Sequence, residues 1–122
     1  MKLKLVLKYK WFDMIESLIK KEEYRSIKPS VISKLFDLKK SNKTAIEFMD
    51  LLIKNPTDIS LWEYLKPFES IVLYRAYSKG RKEMELRIIS ITVGKAVPEW
   101  SDNWPGDVFV LKLGNIISTK NT

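Results

Sequence analysis

The sequence predicts one α+β domain, a small mixed β-barrel of about five strands with short helices at its ends. At the start of the chain and in three later stretches, apolar residues alternate with polar ones, the period of half-buried strands. Between these stretches apolar residues recur every three or four positions, as in amphipathic helices. With 122 residues, of which 45% are hydrophobic, the chain has the size of a single domain, 1–122, around one core.

The first part of the chain changes period several times. Residues 2–8 place leucines on one side and lysines mostly on the other, which predicts a strand. From Trp11 the apolar spacing becomes helical, and a short amphipathic helix is expected there. Residues 21–26 are long enough for a second short strand. Pro29 is suited to the first turn of a further helix, because proline has no N–H to satisfy.

The stretch 37–67 is predicted to be helical. Ser41 or Asn42 is expected to cap a helix whose apolar residues recur every three or four positions. The pair Asn55-Pro56 should end that helix, because the residue before a proline avoids the helical conformation.

A further short helix and three strands complete the prediction. Asp58 or Ser60 is expected to cap the helix, and Pro67 to close it. The strands are expected at 69–77, 83–93 and 107–117. Gly80 lies between the first two strands and fits a hairpin turn.

The charge balance favours a polyanionic partner. The chain has 22 Lys and Arg against 15 Asp and Glu, a formal charge of +7. Its isoelectric point is about 9.5. A basic domain attracts phosphates by an electrostatic term that needs no particular base sequence. Nucleic acid is therefore the expected class of partner.

The absence of histidine and cysteine excludes several kinds of site. The chain cannot build a Ser-His-Asp triad, a thiol nucleophile, a zinc site of Cys and His, or a disulfide. Glu83 and Glu85 are interpreted as charges at a hairpin edge, and we expect neither a metal nor a cofactor. No apolar run approaches the roughly 20 residues of a membrane span, so we expect a soluble, cytoplasmic protein without a membrane partner.

A dense group of charges lies in "ESLIKKEEYRSIKP", residues 16–29. On a strand, Glu23 and Arg25 would point to the same face about 6.6 Å apart, at a rise of ~3.3 Å per residue. Lys20 would lie at the preceding turn. The three charges can therefore share one cleft, or they can form a surface cluster of ion pairs that needs no functional explanation.

This segment resembles the ASCH domain, a PUA-like β-barrel family with the signature G-x-K-x-x-E-x-R at the end of its first helix. Four residues fall on those places: Leu18, Lys20, Glu23 and Arg25. The resemblance covers 1–34 and 68–117, and 37–67 is a helical elaboration. Because the family's glycine is Leu18 here, the connection from helix to strand must differ or be mildly strained.

The resemblance implies a cleft that accepts RNA or a nucleotide. In a binding protein, Lys20 and Arg25 would hold a phosphate or a base edge, and Glu23 would accept from an exocyclic amine. The alternative is an amidohydrolase for N4-acetylcytidine-like acylated nucleosides, which in this family uses a Lys, a Thr and a Glu. Lys20 matches its lysine, but Glu23 replaces its threonine and could act only as a base for water. A ribonuclease also remains open.

Four further residues are candidates for ligand binding. Arg75 and Tyr77, on the strand after Pro67, could face the cleft opposite Arg25, although Arg75 equally fits a solvent-facing strand position. Trp100 and Trp104 could form a stacking platform for bases, or they could cover one end of the barrel.

The remaining tryptophans and the helical elaboration have other roles. Trp11 and Trp62 lie at helical spacing and are predicted to be in the core. The helices of 37–67 could bind a protein partner, and an exposed apolar stripe on them would favour that interpretation.

Overall fold

A computed structural model describes residues 1–77 and 79–121. The described residues form five strands, five α-helices and one short 3₁₀ helix, Pro98–Trp100. The strands and α-helices are, in chain order, β1 (Lys2–Leu7), α1 (Tyr9–Glu16), β2 (Glu22–Arg25), α2 (Pro29–Leu35), α3 (Leu38–Ser41), α4 (Ala45–Lys54), α5 (Ile59–Trp62), β3 (Ser70–Arg75), β4 (Glu83–Gly94) and β5 (Val108–Lys120). The α+β class is confirmed. No helix in these described ranges is both long and apolar enough to cross a bilayer.

The five strands form one sheet in the order β1-β3-β4-β5-β2. β1 pairs with β3 in parallel, and the other neighbours are antiparallel. The sheet is not closed, because no ladder joins its two edges, β1 and β2, in the described part of the chain. The predicted barrel is therefore not confirmed. Instead, the side chain of Arg25 reaches across from β2 and donates to the carbonyl of Val6 in β1 over 3.0 Å. We call the gap between β1 and β2 the seam.

The end of α1 carries the strain that the missing glycine predicts. Leu18 follows the helix with φ +66°, a left-handed conformation that costs a non-glycine residue roughly 1–2 kcal/mol. Its N–H donates to the carbonyl of Ile15, and the N–H of Ile19 donates to that of Met14 over 2.9 Å. This pattern ends a helix in a reversal of the chain, which usually has glycine at its left-handed position. The turn leads directly to Lys20.

The predicted cap of the long central helix is wrong. Ser41 instead ends α3, an extra turn that the sequence reasoning missed, and Asn42 follows it in the left-handed conformation with φ +57°. The cap of α4 is Thr44, whose hydroxyl accepts from the N–H of Glu47 while the carboxylate of Glu47 accepts from the N–H of Thr44. This reciprocal pair satisfies two helix-end donors.

The prediction that Pro67 closes α5 is wrong, because the helix ends at Trp62, tighter turns follow it and Leu65 forms a bridge to Phe36. Several other boundaries agree with the sequence. Pro29 is the first residue of α2, and α4 ends before Asn55. Asp58 caps α5, and its carboxylate accepts from the N–H of Ser60 over 2.9 Å. The three later strands form, although β3 ends at Arg75 instead of 77, so Tyr77 lies in a turn, and β5 extends beyond 117 to Lys120.

The main core lies between the sheet and the helices α1, α2 and α4. Phe36 is central, with its ring centroid 4.6 Å from that of Phe48 and 6.1 Å from that of Phe109. Trp62 packs against this core, and Trp11 is buried, so both predictions for these tryptophans are confirmed. Residues of β1 and of α1 belong to this core, which holds α1 against the sheet beside the seam.

Candidate functional site

The structure brings Lys20, Glu23 and Arg25 together at one end of the seam. β2 pairs antiparallel with β5, and Glu23 and Arg25 stand opposite Leu111 and Phe109. Two residues apart on a strand, their side chains share a face, and Arg25 Nη2 lies 2.9 Å from Glu23 Oε2. The prediction that these two side chains meet is confirmed. We call the three residues the charged triad.

Lys20 is the least accessible member of the charged triad, with 2% of its surface exposed. Its Nζ lies 3.3 Å from Glu23 Oε1 and also donates to the carbonyl of Trp100. The ammonium is 4.5 Å from the ring centre of Trp11 and 5.0 Å from that of Tyr24, so two aromatic faces replace part of its water. Burial lowers the pKa of Lys20 below its ordinary value, against the opposing effect of the Glu23 carboxylate.

Glu23 joins the two cations. One of its oxygens receives Lys20 and the other accepts from Arg25, and only 5% of the residue is exposed. Arg25 retains about 29% of its side-chain exposure, and the same Nη2 also donates to Val6. Its Nε is buried and has no hydrogen-bond partner among the described residues. The guanidinium is therefore fixed in the seam with one edge accessible.

The charged triad lines a cleft of about 190 Å³. Trp11, Trp100 and Trp104 supply aromatic walls. At ~30 Å³ for each water molecule in the liquid, the volume corresponds to about six waters. The cleft is thus sized for one small planar or anionic group, below the usual 300–1,000 Å³ of pockets for larger ligands.

Two polar contacts fix the loop that covers this cleft. Tyr24 donates from its hydroxyl to Glu22 over 2.6 Å and accepts from the N–H of Val97 over 3.1 Å. Burial, aided by the Glu22 carboxylate, raises the pKa of Tyr24, which stays a neutral phenol. In the lining of the cleft, Lys8 lies 3.0 Å from Asp102 and lowers the pKa of that carboxyl. The loop is therefore held against β2 and the end of β1.

Trp100 and Trp104 both lie in the cleft, whereas Arg75 and Tyr77 lie outside its lining. Arg75 ends β3 and pairs with Asp13 of α1 through two hydrogen bonds of 2.8 and 3.0 Å. This interaction lowers the pKa of Asp13, the hydrogen bonds to Arg75 being the largest cause. Tyr77 follows in the turn and is 86% exposed. β3 therefore directs Arg75 toward α1, and the turn that follows leaves Tyr77 in solvent.

Sequence reasoning missed several residues that shape the cleft. Tyr24 belongs to the motif segment but carries no signal of its own, because its partner Val97 lies more than seventy positions away. Lys8 and Asp102 likewise meet only through the fold. Trp11 was assigned to the core alone, yet its ring also faces the ammonium of Lys20.

The helical elaboration carries exposed apolar side chains. Ile46 and Ile53 are 59% and 56% exposed, and seven residues on a helix return to nearly the same face. Ile59, in the next helix, is 76% exposed. The apolar surface that a protein partner would require is present, and the partner itself stays a prediction.

Metal ligands are not clustered in the described part of the chain. Within residues 1–77 and 79–121, no group of three or more Asp and Glu residues is placed to hold a metal ion.

Searches of protein-family models, curated proteins and solved structures find no match to this chain. The function is therefore argued from the cleft itself.

Proposed function

We propose that this chain is an ASCH-type domain that binds RNA or a nucleotide in the cleft beside the charged triad. The observation that supports this proposal is the burial of Lys20 and Glu23 next to an aromatic cleft. Removing charges from water costs several kcal/mol for each ion, and apolar residues of similar volume often stabilise a fold as well or better. A ligand-binding role gives a reason to retain such charges.

The cleft residues suit a nucleobase and its neighbouring phosphate. A base stacks on Trp100 or Trp104, because every base has a π-face that an indole ring can cover. Arg25 donates from its accessible edge to oxygen or nitrogen acceptors of the ligand. The formal charge of +7 adds long-range attraction for the phosphates.

The same proposal treats the open sheet as a PUA-like barrel that is closed at the seam. In this assignment, side chains replace a backbone ladder between β1 and β2. The hydrogen bond from Arg25 to Val6 supports it, because it joins the two edge strands directly. The ligand then binds where an ordinary barrel would have continuous strand pairing.

Binding is favoured over amide hydrolysis by the state of Glu23. Both of its oxygens already receive cations, so neither is directed at a water molecule that it could activate. Two residues that line the cleft carry hydroxyls, and both hydroxyls are engaged: that of Ser101 donates to the carbonyl of Val97 over 3.1 Å, and that of Tyr24 donates to Glu22. The same engagement of Glu23 argues against its use as the base of a ribonuclease.

The test compares the parent with Glu23→Gln, and uses Asp13→Asn as a matched carboxylate-to-amide control at an exposed pair. The assays are binding of ribonucleotides and short RNA, followed by tryptophan fluorescence, and hydrolysis of N4-acetylcytidine. We expect binding without hydrolysis in the parent. Glu23→Gln should lose about 1–3 kcal/mol of binding free energy, because the amide no longer holds Arg25 in the position from which it donates to the ligand, and the control should keep its affinity.

Two results would contradict this function. Hydrolysis of N4-acetylcytidine by the parent, reduced roughly 10²–10⁴-fold in Glu23→Gln with binding kept, would establish the amidohydrolase instead. A parent that neither binds these ligands nor hydrolyses the nucleoside would remove the function from this cleft.

A further inference from the structure

A second pocket, of about 230 Å³, opens on the same seam and shares one residue with the cleft. Its polar lining consists of Arg25, Lys28, Ser30 and Lys34, and its walls include Leu3 and Leu5 of β1. We call it the basic pocket. Arg25 lines both spaces, so the basic pocket and the cleft lie on either side of a single guanidinium side chain.

The basic pocket has a positive charge that the protein leaves unbalanced. No Asp or Glu lines it among the residues that the structure describes. Lys28 and Lys34 are exposed and form no ion pair within 4.0 Å in the same described residues, whereas the charge of Arg25 is shared with Glu23. Two unneutralised ammonium groups therefore face one small space.

Another lysine-rich pocket of this domain is different. It is lined by lysines together with Glu83 and Glu85, which pair with Lys120 over 3.6 Å and with Lys2 over 3.1 Å. There the protein supplies its own anions. Since the basic pocket lacks such carboxylates, an anion from outside is the complementary occupant.

We propose that Lys28, Lys34 and Ser30, with Arg25, bind a phosphate group of the ligand whose base occupies the cleft. This inference rests on the proposed function and narrows it: the ligand is a phosphorylated nucleotide or an RNA strand, and a free nucleoside is a poor substitute. Lysine ammonium groups bind phosphate as point charges, and a serine hydroxyl adds a directed hydrogen bond.

The position of Arg25 supports a link between base and phosphate binding. Its Nη2 is held by Glu23 over 2.9 Å and by the carbonyl of Val6 over 3.0 Å. A guanidinium fixed in this way loses little freedom when a ligand binds on either side of it. Phosphate contacts orient a nucleic acid without reading its sequence, so the basic pocket would set the direction in which the chain leaves the cleft.

The experiment removes the two free charges with Lys28→Gln/Lys34→Gln. The matched control is Lys39→Gln/Lys40→Gln, which removes two exposed charges from α3, outside the lining of both spaces. The probes are the four ribonucleosides, their 5′-monophosphates and a five-nucleotide RNA of random sequence. Tryptophan fluorescence reports binding, and thermal unfolding checks that all variants are folded.

We expect monophosphates or RNA to bind the parent at least about tenfold more tightly than nucleosides. The Lys28/Lys34 variant should lose most of this gain and bind nucleosides as the parent does. For RNA, its plot of log affinity against log salt should be shallower by roughly 0.7, the value for the loss of one neutralised phosphate on a single strand. If the monophosphates bind more tightly than the nucleosides, the occupant of the basic pocket is a terminal phosphate. If only the RNA binds more tightly than the nucleosides, the occupant is a phosphodiester.

Failure of this inference differs from failure of the proposed function. Nucleosides binding as tightly as phosphorylated probes would overturn the phosphate pocket and leave the base cleft intact. Equal losses in the Lys28/Lys34 variant and the Lys39/Lys40 control would also overturn it, because they indicate a general charge effect. Absence of binding by any probe would overturn both.

Discussion

The charged triad and the exposed pair of Arg75 and Asp13 have similar geometry in different surroundings. A guanidinium nitrogen of Arg25 lies 2.9 Å from a carboxylate oxygen of Glu23, and one of Arg75 lies 2.8 Å from an oxygen of Asp13. In each, a cation also lies against an aromatic ring, Lys20 on Trp11 at 4.5 Å and Arg75 on Tyr9 at 4.4 Å. The side chains of Lys20 and Glu23 are 2% and 7% exposed, whereas those of Arg75 and Asp13 are 32% and 49% exposed.

This comparison teaches that distance alone does not determine what an ion pair does. Water screens the exposed pair and solvates either partner if the other is lost, so it contributes little to stability. In the charged triad Lys20 and Glu23 depend on each other, because water cannot take the place of a lost partner at these two buried side chains. Strong energetic coupling therefore belongs to the triad.

The largest expected difference comes from deleting one carboxylate in each group. Glu23→Ala leaves Lys20 buried without its counter-ion and should lower the free energy of unfolding by about 3–5 kcal/mol. Asp13→Ala should change it only slightly, since solvent takes the place of the lost partner. Urea denaturation of the two variants beside the parent measures both values, and equal losses would refute the contrast.

A paired replacement should recover most of that loss. In Lys20→Met/Glu23→Leu neither of the two most buried ions remains, and Arg25, which is 29% exposed, keeps its hydrogen bond to Val6. We expect this variant to be about 3 kcal/mol more stable than Glu23→Ala. Ligand binding should be lost, because the cleft no longer has its charges. Denaturation and the RNA-binding assay on the same protein test this separation of stability from function. A double variant no more stable than Glu23→Ala would mean that packing, and not charge, accounts for the loss.

The contributions of Lys20 and Asp13 to folding stability should change at opposite ends of the pH range. The pKa of Lys20 is lowered from its ordinary 10.5, so between the two values the unfolded chain binds more protons and stability rises with pH. The pKa of Asp13 is lowered from 3.8, so its contribution is present above that pH and is lost as acid protonates the folded state.

Stability measured against pH for Lys20→Met and Asp13→Asn isolates these effects. In the parent, the free energy of unfolding should rise with pH on the alkaline side up to about pH 10, and Lys20→Met should lack this rise. Asp13→Asn should lack the part of the acid destabilisation that comes from protonating Asp13. Above about pH 10 the raised pKa of Tyr24 acts in the other direction, because only the unfolded chain then ionises this phenol. An alkaline rise that persists in Lys20→Met would assign it to another group.

The smallest effects are expected at two backbone positions next to these groups. Leu18, before Lys20, has φ +66°, and Ala76, after Arg75, has φ +60°. Glycine adopts this conformation without the Cβ penalty, so Leu18→Gly and Ala76→Gly should each raise stability by about 0.5–1 kcal/mol. Leu18→Ala is the control, since alanine keeps the strain. A loss of stability in Leu18→Gly would indicate that the leucine side chain contributes more than its exposure implies.

Local chemistry accounts for what the sequence predicted correctly. Pro29 begins α2 because its fixed φ suits a first turn, and Asn55-Pro56 ends α4 for a related reason. The cap at Thr44 was missed because α3 inserts a turn that no apolar period announces. β5 reaches Lys120 because this residue still pairs with Glu83 of β4, a contact between distant parts of the chain.

The candidate site could be predicted only as far as its own segment extends. Glu23 and Arg25 lie two residues apart, and this spacing, which can be read from the sequence, places their side chains on the same face of a strand. The burial of Lys20 depends on the carbonyl of Trp100, eighty residues later, and on how the loop packs over β2. Arg75 was grouped with the cleft because a strand pattern gives its face but not its neighbouring element.

The parallel pairing of β1 with β3 has a consequence for how the chain is made. β1 pairs with residues 70–75, and β2 pairs with residues 109–112, so neither early strand can form its ladder until the second half of the chain is present. On the ribosome, the segment with Lys20 and Glu23 emerges long before the residues that bury it. Contacts between such distant positions slow folding, and the unpaired edges stay open to other chains meanwhile. The seam is therefore completed last, and with it the cleft.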